Sequence, residues 1–168
     1  MSNKNYKPPE EKMVIRFEDC VSLCEQKGYF ILDKGEVRYM AAGKSYNFSD
    51  PKEKIRMMFY YELIEKYKYQ MDKIEFEIGV PGGASNNYAD VVVFTDDEKR
   101  TPYIAAECRG AGISSAEFEQ AELQAITNAK LLKARIAVCA AGSKRSVIEI
   151  DNLNIETKVS DIPVCYGK

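Results

Sequence analysis

Asp90 sits near the start of YADVVVF (88–94), and Glu107 and Arg109 close PYIAAECR (102–109). If these two apolar runs fold back on each other about TDDEKRT, the centre of the turn falls between Glu98 and Lys99. Asp90 then faces Glu107 across the strand pair. Opposed residues point to one side of a sheet, and Arg109, two beyond Glu107, shares that side. Two opposed carboxylates repel, and a bound cation relieves them. Carboxylate oxygens suit Mg²⁺, which takes one or two of them and keeps several waters. Arg109 adds positive charge where a phosphate would gain negative charge. The chemistry open to such a trio is metal-assisted reaction at a phosphate. A slip of one residue would send the carboxylates to opposite faces, leaving only a solvated sheet surface, so on spacing alone the two readings stand level.

Composition narrows the alternatives. The chain has 168 residues and no histidine, which removes Ser-His-Asp and Cys-His catalysis and every histidine-based metal site. Lys and Arg number 24 against 26 Asp and Glu, a net charge of −2, so a uniformly basic nucleic-acid coat is excluded while a local basic patch is not. The five cysteines (20, 24, 108, 139 and 165) show no zinc or disulfide spacing and read as buried apolar residues in a reducing, cytoplasmic setting. The polar start, MSNKNYKPPEEK, has no signal-peptide core, and no run is long enough to span a membrane.

The elements that must position the trio follow from periodicity. FEDCVSLCEQKG predicts a short helix stopped by Gly28, and YFILDKGEVRYM predicts two strands about a turn at Asp33 to Glu36, with AAGKSYNF irregular after them. SDPKEKIRMMFYYELIEKYKY predicts a helix capped by Ser49 or Asp50, with Pro51 near its first position and an apolar stripe of Ile55, Phe59, Leu63 and Tyr67. KIEFEIGV (73–80) alternates, placing Ile74, Phe76, Ile78 and Val80 on one strand face, and PGGASNN is a loop. After the 88–109 hairpin and the GAG break, ISSAEFEQAELQAITNAKLLKA predicts a helix with Ser114 and Glu117 as a capping box. RIAVCAAG and RSVIEI follow as strands, then a tail that is strand and irregular chain. The core order is therefore α-β-β-β-α-β, an α/β protein with a mixed central sheet flanked by helices. The expected divisions are a helix-and-hairpin extension (1–48), a core (49–150) and a tail (151–168).

YADVVVF, PYIAAECR and GISSAEFEQAxxQA, with DPKEKIRxxFYYELI ahead of them, together resemble the N-terminal nuclease domain of type I restriction enzyme R proteins, in the PD-(D/E)xK superfamily, over about residues 50 to 150. The resemblance implies a restriction-endonuclease-like sandwich that acts on double-stranded DNA. It implies that Asp90 and Glu107 bind Mg²⁺, for which Mn²⁺ can substitute, helped by the backbone carbonyl of Cys108. Glu53 matches the acid on the first helix, implied to act in catalysis, and Arg56 the basic residue beside it, implied to contact DNA. Gln124 matches a glutamine near the active site, implied to act in catalysis, and Gln120 is a second match, implied to contact DNA. The sequence departs from the pattern at Arg109, where the family carries lysine, and at Asn128, where related nucleases often have tyrosine. Arginine keeps the charge but cannot be deprotonated, and its planar fork is not a point charge. Two functions thus stay open: a Mg²⁺-dependent endonuclease of a restriction–modification system, or a catalytically weakened DNA-binding or assembly module on the same fold. The expected partners are DNA and other restriction–modification subunits, or a fused methyltransferase or helicase module.

Other motifs carry less. AGKS (42–45) resembles the end of an ATP phosphate loop, but Arg38 stands where the first glycine is required, and no methyl-donor motif is present. The tyrosines of MMFYYELIEKYKY favour packing over base stacking. Lys144 and Arg145 form a basic pair able to touch DNA phosphates, and the glycines of GVPGGASNN permit a close backbone approach to a groove.

Overall fold

The computed structural model describes residues 16–82 and 87–165. The expected lead-in over 1–13 and the middle of GVPGGASNN lie outside the described residues. Helix α1 spans Phe17–Lys27 and ends where Gly28 adopts a left-handed φ of 73°, which glycine takes without steric cost. Strands β1 (Phe30–Asp33) and β2 (Glu36–Tyr39) pair as an antiparallel hairpin. Strand β3 (Lys44–Asn47) adds to β2, with Arg38 opposite Ser45. The expectation of irregular chain over 41–48 is therefore corrected; the half-buried Tyr46 and Phe48 pack against the core and hold this segment to the sheet. A strand rather than a helix follows Gly43, which is not how a phosphate-binding loop continues.

Helix α2 spans Pro51–Glu65. Asp50 caps it, its side chain accepting from the Lys52 N–H, and Pro51 occupies the first turn. Of the expected stripe, Phe59 and Leu63 are buried on the helix, Ile55 is half-buried, and Tyr67 is buried beyond the helix end. A single 3₁₀ turn (Met71–Lys73) leads into β4 (Ile74–Gly79).

The main sheet has six strands in chain order, β4, β5 (Tyr88–Phe94), β6 (Pro102–Arg109), β7 (Ile136–Ala141), β8 (Lys144–Ile150) and β9 (Glu156–Val159). β4, β5 and β6 form an antiparallel meander that contains the expected 88–109 hairpin. Helix α3 (Ser115–Leu132) then crosses over, and β7 lies parallel to β6. Strands β8 and β9 return antiparallel. The α3 start is the expected capping box, with Ser114 and Glu117 satisfying each other's backbone N–H groups.

Apolar side chains pack on both faces of this sheet, which explains why β5 and β7 read as near-continuous hydrophobic runs. One cluster joins Met57, Phe59, Tyr60 and Leu63 of α2 to Val91, Val93, Ile104 and Ala106, and it also takes in Cys20, Cys24, Phe30 and Tyr39 from the first elements. The other joins Ala121, Ala125 and Ala129 of α3 to Ala105, Ala137 and Cys139. The small residues on α3 let that helix lie close to the sheet. Within the described residues no helix is long and apolar enough to cross a membrane.

Candidate active site

Two hydrogen bonds and an ion pair fix Asp90. β5 and β6 pair Val91 with Ala106 and Val92 with Ala105, the register expected from the turn centre. One step further along that register sets Asp90 opposite Glu107. By strand alternation Glu107 and Arg109 take the face of Ala105, toward α3. The Cys108 backbone N–H donates to Asp90 Oδ2 at 2.8 Å, and Lys52 Nζ donates to Oδ1 at 2.9 Å. Arg109 Nη1 stands 3.6 Å from Oδ2. Asp90 and Glu107 are only 4% and 5% exposed, yet both line an open pocket of about 930 Å³.

Glu107 is the less satisfied of the two. Its Oε1 accepts from Arg109 Nη1 at 2.5 Å, while its Oε2 is buried without a hydrogen-bond partner. Burial, with the charge of Asp90 added to it, pushes the Glu107 carboxyl up to about 7 despite the opposing pull of Arg109 and Lys52. At Lys52 burial works against the charge, but Asp90 outweighs it and holds the ammonium above its ordinary value.

The pocket wall is built from α2, β4, β5, β6, α3 and the loop over 110–113. The α2 start gives Asp50, Pro51 and Lys52; β4 gives Glu77; β5 and β6 give Asp90, Glu107 and Arg109; and α3 gives Glu117 and Gln124. Five carboxylates thus line it against Lys52 and Arg109 as its two cations, a surplus that attracts positive charge. Among the described residues no three His, Cys, Asp or Glu side chains converge. A cation held here would take two carboxylates and the Cys108 carbonyl and keep waters, the habit of Mg²⁺. The buried, unpartnered Oε2 of Glu107 is the observation that fits such a ligand. Arg109 Nη1 already touches the same groups, lying 3.0 Å from the Cys108 carbonyl as well as against both carboxylates.

The other predicted residues fall in different places. Gln124 lines the pocket; its amide donates to Asn128 at 2.8 Å, and Asn128 also accepts from Asn87. Asn128 therefore ties the start of β5 to α3 from inside the fold. Glu53 is 1% exposed and off the pocket wall, accepting from Tyr39 at 2.7 Å and from Arg56. Arg56, expected at the DNA, is 1% exposed, stacked 4.0 Å over the Tyr46 ring and paired with Glu53 and Glu77, so its guanidinium is turned into the fold. Gln120 is exposed on α3, away from the pocket wall. Lys144 is exposed with its Nζ 3.3 Å from the Ile113 carbonyl, whereas Arg145 is paired with Glu62 of α2 and lies against Phe59.

Lys52 and Glu77 are site residues that periodicity did not reveal. Glu77 has φ 50°, a costly value for a residue with a side chain, and the β4–β5 ladder skips it and Asp90 together. The expected single face of β4 is corrected accordingly. Ile74 and Phe76 join the main cluster, while Ile78 and Val80 join a smaller one with Ala89, Val92 and Phe94. The break aims Glu77 at the pocket and at Arg56, 3.1 Å away.

Fold and site together define a mixed-sheet α/β protein with a carboxylate pair opening into an acidic pocket at the strand ends. The chain belongs to the family of the type I restriction enzyme R protein N terminus, whose model matches residues 51–163, and so to the components of restriction–modification systems. No curated protein matches the chain.

Proposed function

We propose that the chain is a Mg²⁺-dependent DNA endonuclease-like domain of a restriction–modification system, built as a restriction-endonuclease-like sandwich and hydrolysing phosphodiesters of double-stranded DNA. The observation that carries this reading is the meeting of Asp90 and Glu107 in an open, acidic pocket, with one Glu107 oxygen buried and unpartnered. Asp90, Glu107 and the Cys108 carbonyl would hold Mg²⁺, or Mn²⁺ in its place. The ion, when bound, supplies Lewis-acid polarisation of the phosphate and a more acidic water. The chain's own residues do the rest. The Cys108 N–H and Lys52 orient the Asp90 carboxylate, Glu53 and Arg56 set Glu77 on the wall, and Gln124 shapes the α3 side. Lys144, exposed at the start of β8, would meet the DNA backbone. Partner subunits, or a fused methyltransferase or helicase module, would deliver the DNA.

The second reading, a DNA-binding or assembly module with weakened catalysis, is favoured by Arg109. Its guanidinium bears on all three groups proposed to hold the metal. Titrating Mn²⁺ into the full chain and following the free-ion electron paramagnetic resonance signal tests the primary reading. One site is expected, lost in Asp90→Asn and in Glu107→Gln; the absence of any site would overturn it.

A further inference from the structure

Lys52 was not among the residues whose spacing drew attention, yet it is the cation nearest Asp90. Its Nζ lies 2.9 Å from Asp90 Oδ1, and its side chain is 27% exposed on the pocket wall. Arg109, the other cation there, has Nη1 engaged with Glu107 and the Cys108 carbonyl on its own strand. An ammonium carries three N–H donors, and Asp90 uses one of them. The root of Lys52 is also fixed. A Cβ on Gly110 would meet the Pro51 Cβ at 2.9 Å, so the α2 start is pressed against the chain leaving β6. The ammonium is thereby held beside the carboxylate pair at the end of a flexible four-carbon stem, a point charge that suits a single phosphate oxygen.

We propose that Lys52 is the phosphate-gripping cation of this site, reaching the scissile phosphate of DNA with its free N–H groups while it stays paired to Asp90. The assignment rests on the nuclease reading for the reaction, but the contact itself is independent of cleavage. Phosphoryl transfer is largely a matter of positioning and of stabilising charge on the transferring group, and Lys52 supplies that charge from a helix rather than from the strand that carries Glu107.

The test uses the full chain and a short duplex, with wild type, Lys52→Gln and Lys52→Arg. Binding is followed by fluorescence anisotropy in EDTA across a salt series. Lys52→Gln should lower the salt slope by about one phosphate contact, and Lys52→Arg should keep it. In single-turnover cleavage at saturating Mn²⁺, Lys52→Gln should be slower by roughly 100-fold, with part of the rate regained in Lys52→Arg. An unchanged slope overturns the proposal; if cleavage is nevertheless lost, Lys52 serves only to hold Asp90. A lowered slope with cleavage at the wild-type rate also overturns its role in the reaction. If no form cleaves, the nuclease reading falls, and a lowered slope would still support Lys52 as a phosphate contact.

Discussion

Arg109 turns back along its own strand face to Glu107, Nη1 lying 2.5 Å from Oε1, and the same nitrogen is 3.6 Å from Asp90 Oδ2. A guanidinium so placed competes with any divalent cation for the same oxygens. Removing its charge should therefore strengthen metal binding. Isothermal titration with Mn²⁺ should give a dissociation constant at least about tenfold lower for Arg109→Gln than for the parent, a modest share of what unit charges exert at such distances. Equal or weaker binding in the variant would show that Arg109 does not occupy the ion's place.

The Glu107 carboxyl, pushed up to about 7 by burial and by Asp90, links stability to pH. Between its ordinary value of 4.5 and about 7, the folded chain keeps a proton that the unfolded chain has released. Stability should thus fall as pH rises through that window and level off above it. In EDTA, Glu107→Gln should remove this slope and become more stable than the parent at pH 8, on the order of 3 kcal/mol. Urea denaturation at pH 5.5 and 8 measures it. Parallel behaviour of the two proteins would mean that Glu107 titrates as an ordinary exposed acid.

Arg56 and Glu53 form a pair closed off by Tyr39, Tyr46 and Phe76. Arg56→Met leaves Glu53 buried without its cation and should cost about 3–5 kcal/mol in urea denaturation. Adding Glu53→Gln to Arg56→Met should recover part of that loss. If Arg56→Met instead unfolded like the parent while DNA binding alone weakened, Arg56 would be a surface contact after all.

Gly110 lets the chain pass Pro51. Gly110→Ala brings a methyl to 2.9 Å from the Pro51 Cβ and must displace either the α2 start or the end of β6. A loss of about 1–3 kcal/mol is expected in chemical denaturation. Unaltered stability would show that the α2 start is loose.

Local signals in the chain were sufficient for much of this. The β-branched run before Phe94 and the turn about Glu98 and Lys99 specify the β5–β6 register, and with it the approach of Asp90 to Glu107. Ser114 and Glu117 mark the α3 start because a capping box is a contact between near neighbours in sequence. What could not be read depends on partners far apart in the chain. Lys52 gains its meaning from Asp90, 38 residues on. Arg56 is buried because Tyr46, from a strand that alternation did not reveal, stacks on it. Glu77 departs from the strand through a backbone angle for which its side chain carries no signature.

On the proposed reading, Asp90 and Glu107 hold a divalent ion for phosphodiester hydrolysis. Supercoiled plasmid incubated with the full chain in Mg²⁺, Mn²⁺ or EDTA, its products resolved on an agarose gel, decides this. Nicked or linear DNA is expected with either metal, none in EDTA, and none with Asp90→Asn or Glu107→Gln. Intact plasmid under every condition, with DNA binding retained, would contradict the claim and leave a binding or assembly module.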